Sequence, residues 1–168
     1  MTEVIISGEF HVGFTGSRTG ITVGQIEQLR IFMERYALQM QEGYVKVVLH
    51  HGDCTGGDEA AHIAANDFGW AIEVHPGTDK GGSSPYRAYM NNDFPDNVQF
   101  IHEECPYAER NMDIVTTTAM LLATPSGPEV TRSGTWATVR AAERMGRPVM
   151  IFWPNGEVEA RGLEEHEH

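Results

Sequence analysis

Short apolar runs alternate along this chain with stretches whose apolar residues recur every three or four positions, a pattern that predicts strands and helices in turn. Runs at 12–15, 45–50, 71–75, 98–102, 119–124 and 148–153 read as strands. Between the first two, Ile26, Leu29, Met33, Tyr36 and Met40 mark one face of a helix over 22–41, begun by Thr22 and Gln25 at capping-box spacing. Ala60, Ala61, Ala64, Ala65 and Phe68 mark a second, short helix whose alanines permit close approach to a sheet. A third helix is predicted over 106–118, with Pro106 in its first turn, and a fourth over 133–146. The segment 76–97 has neither pattern and carries Lys80-Gly81-Gly82-Ser83-Ser84-Pro85 at its centre. A loop of that length inside a compact domain is usually functional or mobile. Residues 157–168 read as a polar, solvated tail, in which His166 and His168 would bind metal only adventitiously.

Strands alternating with helices predict an α/β fold with a doubly wound, mostly parallel sheet and helices on both faces. Right-handed crossovers then gather the turns at 16–20, 51–58, 76–87, 105–111 and 125–135 on one edge, at the carboxyl ends of the strands, where open α/β sheets bind ligands. Two of those turns favour phosphate. Gly16-Ser17-Arg18-Thr19-Gly20 follows the first strand, and Arg132-Ser133-Gly134-Thr135-Trp136 opens the last helix. Each places an arginine, small residues and a hydroxyl beside the positive end of a helix, so an anion is the expected guest.

Composition narrows the classes. The chain has 168 residues, of which 40% are hydrophobic, and reads as one soluble domain with its core over about 12–153. Twelve basic residues against 24 acidic ones give a net charge of -12, which opposes DNA or RNA as a partner. No run approaches the roughly 20 apolar residues of a membrane span and no apolar signal core is seen near Met1, so a cytoplasmic protein that does not enter membranes is expected. Cys54 and Cys105 form no C-x-x-C pair and read as reduced thiols.

The remaining polar groups have plainer readings. Gly16, Gly20, Gly56 and Gly57 would serve tight turns in any case, and their convergence on one edge is what adds phosphate binding. Arg110 and Asn111 stand early in the third helix, where a cation needs something negative nearby, whether a ligand phosphate or an acid. His50, His51, Asp53, Cys54 and His62 have no diagnostic metal-ligand spacing, so neither a metal nor any other cofactor is expected. Asp58 falls three residues after Thr55 and reads as a helix-start residue. Trp136 reads as core. No G-x-S-x-G elbow is present, and Ser17, Ser133 and His51 make no nucleophilic triad.

Four blocks in order resemble the SLOG superfamily, the Rossmann-like group that includes the Lonely Guy phosphoribohydrolases and the DNA-processing protein A family. They are Gly13-Phe14-Thr15-Gly16-Ser17-Arg18, His51-Gly52-Asp53-x-x-Gly56-Gly57-Asp58-x-Ala60-Ala61-His62, Glu109-Arg110-Asn111 and Arg132-Ser133-Gly134-Thr135-Trp136-Ala137-Thr138. The resemblance implies a Rossmann-like fold, a nucleotide or nucleotide-derived ligand on the strand ends, and a homodimer. Lonely Guy enzymes carry P-G-G-x-G-T-x-x-E ending in a catalytic glutamate. Here Gly134-Thr135 match its G-T pair, while Thr138 stands in the glutamate's place.

The expected function is therefore binding of a small phosphate-bearing nucleotide, as a sensor or sequestering protein. The ligand residues are Gly16, Ser17, Arg18, Gly56, Gly57, Asp58, Arg110, Asn111, Arg132, Ser133, Gly134 and Thr135. The alternative is an enzyme cleaving the N-glycosidic bond of a nucleoside monophosphate, for which Asp53, Asp58, Glu109 and Arg110 are the candidate catalytic groups.

Overall fold

The computed structural model describes residues 8–43, 45–89 and 97–163. Their elements run β1 (Glu9–Gly16), α1 (Val23–Glu42), β2 (Lys46–His51), α2 (Gly57–Asp67), β3 (Ala71–Val74), β4 (Gly77–Thr78), β5 (Val98–Ile101), β6 (Cys105–Pro106), α3 (Tyr107–Thr116), β7 (Met120–Thr124), α4 (Gly134–Arg144), β8 (Val149–Phe152) and β9 (Val158–Arg161). One seven-stranded sheet has the order β5-β3-β2-β1-β7-β8-β9, parallel throughout except for β9.

Alternation along the strands splits the core between two faces. In β7, Leu122 joins Val12, Phe14, Leu29, Met33, Leu49 and Ile72 in the layer under α1 and α2. Its neighbours Leu121 and Ala123 pack with Trp136, Val139, Ala142 and Ile151 under α4. A strand buried on both faces has to be apolar at every position, which is why Met120-Leu121-Leu122-Ala123 reads as an unbroken run.

The capping box at Thr22 and Gln25 is present: Gln25 N–H donates to Thr22 Oγ1 at 3.2 Å and Thr22 N–H to Gln25 Oε1 at 2.9 Å. The buried face of α1 departs from the expected one. Ile26 is 36% exposed, whereas Gln25 is 1% exposed and sends its Nε2 to the carbonyls of Pro125 and Phe152. A fully satisfied amide that ties strand ends to the helix outcompetes an isoleucine for the inward position.

Two expectations for irregular segments need correction. The polar stretch after Trp153 is not all tail: Val158–Arg161 pairs antiparallel with β8, from Val149 opposite Arg161 to Phe152 opposite Val158. The hairpin turns at Asn155-Gly156, with Gly156 at φ +89°, and Arg161 bridges to Glu143 and Glu159 along its polar face. Residues 164–168, which include His166 and His168, lie outside the described residues.

Nor is 76–97 structureless where it is described. Gly77–Thr78 pairs with Cys105–Pro106, and Arg87 bridges Cys54 so that Ala88 N–H reaches Asp53 O and Thr55 N–H reaches Tyr86 O. Residues 90–96 of that segment lie outside the described residues.

Candidate functional site

The chain lays down β1, β2, β3 and β5 outward in one direction and then returns to the other side of β1 for β7 and β8. That reversal opens a crevice at the carboxyl ends of β1 and β7, where Gly16 lies opposite Thr124. A cavity of about 480 Å³ occupies it, a size that suits a nucleotide.

The cavity wall is built by three loops laced together through backbone. Ser17 N–H donates to Thr124 O at 3.1 Å and Gly57 N–H to Ser17 O at 2.9 Å, while Thr55 Oγ1 donates to Arg18 O. Gly56 sits at φ +85° with the backbone of Ser17 and Arg18 against it, so a side chain there would be strained and would collide. Gly56 N–H is taken by Glu59 and Gly57 N–H by Ser17. Neither glycine lines the cavity; they shape the loop that does.

Gly16, Ser17, Arg18, Asp58, Arg110, Asn111, Arg132, Ser133, Gly134 and Thr135 all line it. Arg18 is held between two rings, with its guanidinium 4.4 Å from the centre of Tyr86 and 4.6 Å from that of Tyr107. Arg110 is 5% exposed, and its Nη1 donates to Gly52 O and His75 O at 3.0 and 3.1 Å. Its Nε reaches Asn111 Oδ1 at 2.8 Å and its Nη2 faces Cys54 Sγ at 3.9 Å. Ser133 caps α4 by accepting Trp136 N–H, so the first amides of that helix, at Gly134 and Thr135, open on the cavity.

Charge compensation around Arg110 is incomplete. Burial pushes the Cys54 thiol up, so it stays neutral. Asp58, the one carboxylate on the cavity wall among the described residues, is raised by burial to about 6 even though Arg110 and the amides of Gly52 and Cys54 oppose the shift. Arg18, Arg110 and Arg132 and the amino end of α4 thus share Asp58 among the described residues of the wall.

Two of the acids considered as catalysts fall outside the cavity wall. Asp53 is fully buried at φ +52° and accepts Arg87 Nε at 2.8 Å and Tyr89 N–H at 3.2 Å. It holds the 86–89 segment down. Glu109 is exposed on α3. Thr138 is 1% exposed, and its hydroxyl donates to Gly134 O at 2.8 Å.

The histidines divide into two groups. His51 Nδ1 accepts Asp53 N–H at 2.9 Å, which leaves the proton on Nε2 to be donated to His62 Nδ1 at 2.8 Å. Burial holds His51 well below the usual 6.5, so its neutral ring, bonded to His62, props the 52–58 loop. On the opposite face of the sheet, His11, His50, His75, His102 and Glu73 form a cluster that sequence spacing did not reveal. Burial lowers His50 to about 4 and His75 to about 2. Burial works to raise Glu73, but hydrogen bonds from His102 and Gln99 outweigh it and its pKa falls.

The Tyr86 and Tyr107 clamp was also missed, because it joins residues far apart in sequence. The cluster did leave a signal. Glu73 and His75 share a strand face, and parallel register puts Glu73 beside His50.

No family model matches the chain, and no curated protein matches it. Among solved structures, the chain is similar to DNA processing protein A from Streptococcus pneumoniae, with a TM-score of 0.63 and 20% identity over 84% of this chain. The chain spans half (50%) the length of that protein. A structural-genomics protein, TM1055, matches over 83% of this chain and 72% of its own at 15% identity and a TM-score of 0.49. The likeness to DNA processing protein A is one of fold, a Rossmann-like α/β arrangement.

Proposed function

We propose that this chain binds a small phosphate-bearing nucleotide or nucleotide-derived signal in the crevice between β1 and β7, as a sensor or sequestering protein. The observation that carries the reading is the convergence of Arg18, Arg110 and Arg132 with the amino end of α4 on one cavity, in a chain whose net charge is -12. Arg18 and Arg132 meet phosphate oxygens through their forked guanidinium groups, and the amides at Gly134 and Thr135 complete the cradle. The wall formed by Pro128, Val130 and Trp136 gives the sugar or base an apolar surface.

The hydrolytic alternative is not favoured. A phosphoribohydrolase needs a carboxylate free to protonate the leaving base or stabilise the sugar cation, and Asp58, the only one on the wall among the described residues, is tied to two backbone amides. DNA processing belongs to the neighbour by its title, and the negative charge of this chain argues against carrying it over. A homodimer is part of the same proposal, tested by light scattering.

The experiment for the ligand is to expose the purified protein to a mixed nucleotide library, remove unbound compounds and identify what remains by mass spectrometry. Retention of phosphate-bearing nucleotides over their nucleosides supports the reading; no retention, or equal retention of nucleosides, overturns it.

A further inference from the structure

His50 lies at the end of β2, Glu73 on β3, and His75 and His102 just beyond β3 and β5. Glu73 pairs in register with both His50 and Phe100, and each histidine is in phase with that row, so all four side chains fall on one face of the sheet. This is the face that carries α3 and α4, over the half formed by β2, β3 and β5. One ligand-type atom from each residue lies within 4.8 Å of all the others.

We propose that His50, Glu73, His75 and His102 form a site for a divalent transition metal of the zinc class. Three imidazole nitrogens and one carboxylate oxygen are a donor set that suits tetrahedral zinc, and this set contains no thiolate. The spacing is near what the ion requires. His50 Nδ1 and His75 Nε2 are 2.8 Å apart, as are His102 Nε2 and Glu73 Oε1. Bonds of about 2.0–2.1 Å in a tetrahedron put neighbouring ligand atoms about 3.3 Å apart, so each close pair has to open by about 0.5 Å and the wider ones, spread over up to 4.8 Å, close by up to about 1.5 Å.

The surroundings complete the case. His50 uses Nδ1 toward His75, and its Nε2 is 2.7 Å from His11 Nδ1. A ligand histidine whose second nitrogen is held by another polar group has its ring orientation and tautomer fixed. His50 and His75 are buried, so an ion on them is largely shielded from water. His102 and Glu73 are half-buried, and Phe100 beside them on the same face is 55% exposed, which gives an ion a way in. None of the four lines the anion cavity, so the metal site is separate from it. The two sites adjoin at His75, whose carbonyl accepts Arg110 Nη1.

Sequence reading weighed metal on His50, His51, Asp53, Cys54 and His62 and expected none. Only His50 of those belongs to the cluster; His51 and His62 bond to each other, and Asp53 to Arg87.

The test uses the full chain carrying His166→Ala and His168→Ala, so that terminal histidines contribute nothing. The protein is stripped with chelator, loaded with zinc, freed of excess by gel filtration and assayed for metal by mass spectrometry; cobalt is loaded in parallel for its visible spectrum. The expected result is one zinc per chain, an intense tetrahedral cobalt spectrum, and at least about a hundredfold weaker zinc binding in His102→Ala and Glu73→Gln. Both substituted side chains are partly exposed, so the variants fold, which melting in chelator checks. The proposal is overturned if the stripped protein retains no zinc after loading, or if both variants retain it as tightly as their parent.

Discussion

Arg18→Ala removes a guanidinium that the fold has already positioned. An arginine side chain loses up to about 2 kcal/mol of rotamer freedom when ordered, a cost that the Tyr86 and Tyr107 rings, 4.4 and 4.6 Å away, meet before any ligand arrives. The charge-assisted bond to phosphate is worth about 1.5–3 kcal/mol, and at about 1.4 kcal/mol per tenfold the variant should bind roughly ten- to a hundredfold more weakly. Arg132 is exposed on its loop, so its contact is better screened and its ordering is still to be paid; Arg132→Ala should lose about tenfold or less. Arg18→Lys keeps the charge but not the planar fork, and should fall between wild type and Arg18→Ala.

Calorimetry with ADP-ribose, or with the tightest nucleotide from the library, measures all four proteins at the same salt. Two lost ring contacts cost about 0.5–1 kcal/mol each, so a melting curve separates weakened binding from unfolding. Equal affinities for wild type and Arg18→Ala would refute the reasoning, because no other residue on that side of the cavity wall carries a positive charge at the β1 turn.

Asp58 titrates at about 6 in the fold against 3.8 in the unfolded chain, so its stabilising contribution is present below about pH 3.8 and lost as pH rises through 6. Asp58→Asn should therefore melt higher than wild type at pH 8, by up to about 3 kcal/mol of stability, and lose that advantage at pH 3.5; an equal difference at both pH values counts against it. AMP incubated with the protein should release no free base above background by chromatography, since Thr138 bonds to Gly134 O and offers no carboxylate. Steady release abolished by Asp58→Asn would restore the hydrolytic reading. Short single-stranded DNA should give no gel shift at micromolar protein; a shift that disappears with added salt would reveal a local basic patch.

The order of strands and helices was legible because each carries its own period: 12–15 and 119–124 as unbroken apolar runs, Leu29 and Met33 at helical spacing. Most of the cavity lining was legible too, since right-handed crossovers force strand-end turns to one edge and Arg18, Arg110 and Arg132 each sit at such a turn. What escaped notice depends on pairing between strands. The β8–β9 hairpin did have its mark in Asn155-Gly156, but Val158-Glu159-Ala160-Arg161 is a strand at the sheet's edge with a solvated face, and its polarity resembles that of a tail. Asp53 looked like a free acid because its partner, Arg87, stands 34 residues away. The histidine cluster required the β2–β3–β5 register, which no single segment contains.

The distribution of charge bears on the kind of ligand as much as on its presence. A surface that is acidic overall repels a polyanion, whose many phosphates cannot all reach one cavity, while a single nucleotide carries two or three charges and can be surrounded by arginines once inside. The field near Arg18 and Arg132 acts over about a Debye length, roughly 8 Å at physiological salt, so it captures a small anion that has already reached the mouth of the crevice. Inside, the same charges bind ground state and transition state alike unless a group is placed to change with the reaction. Thr138, tied to Gly134, and Asp58, tied to Gly52 and Cys54, are both committed to the scaffold, so among the described residues of the wall the proposed phosphate meets arginines and helix amides rather than an untied carboxylate.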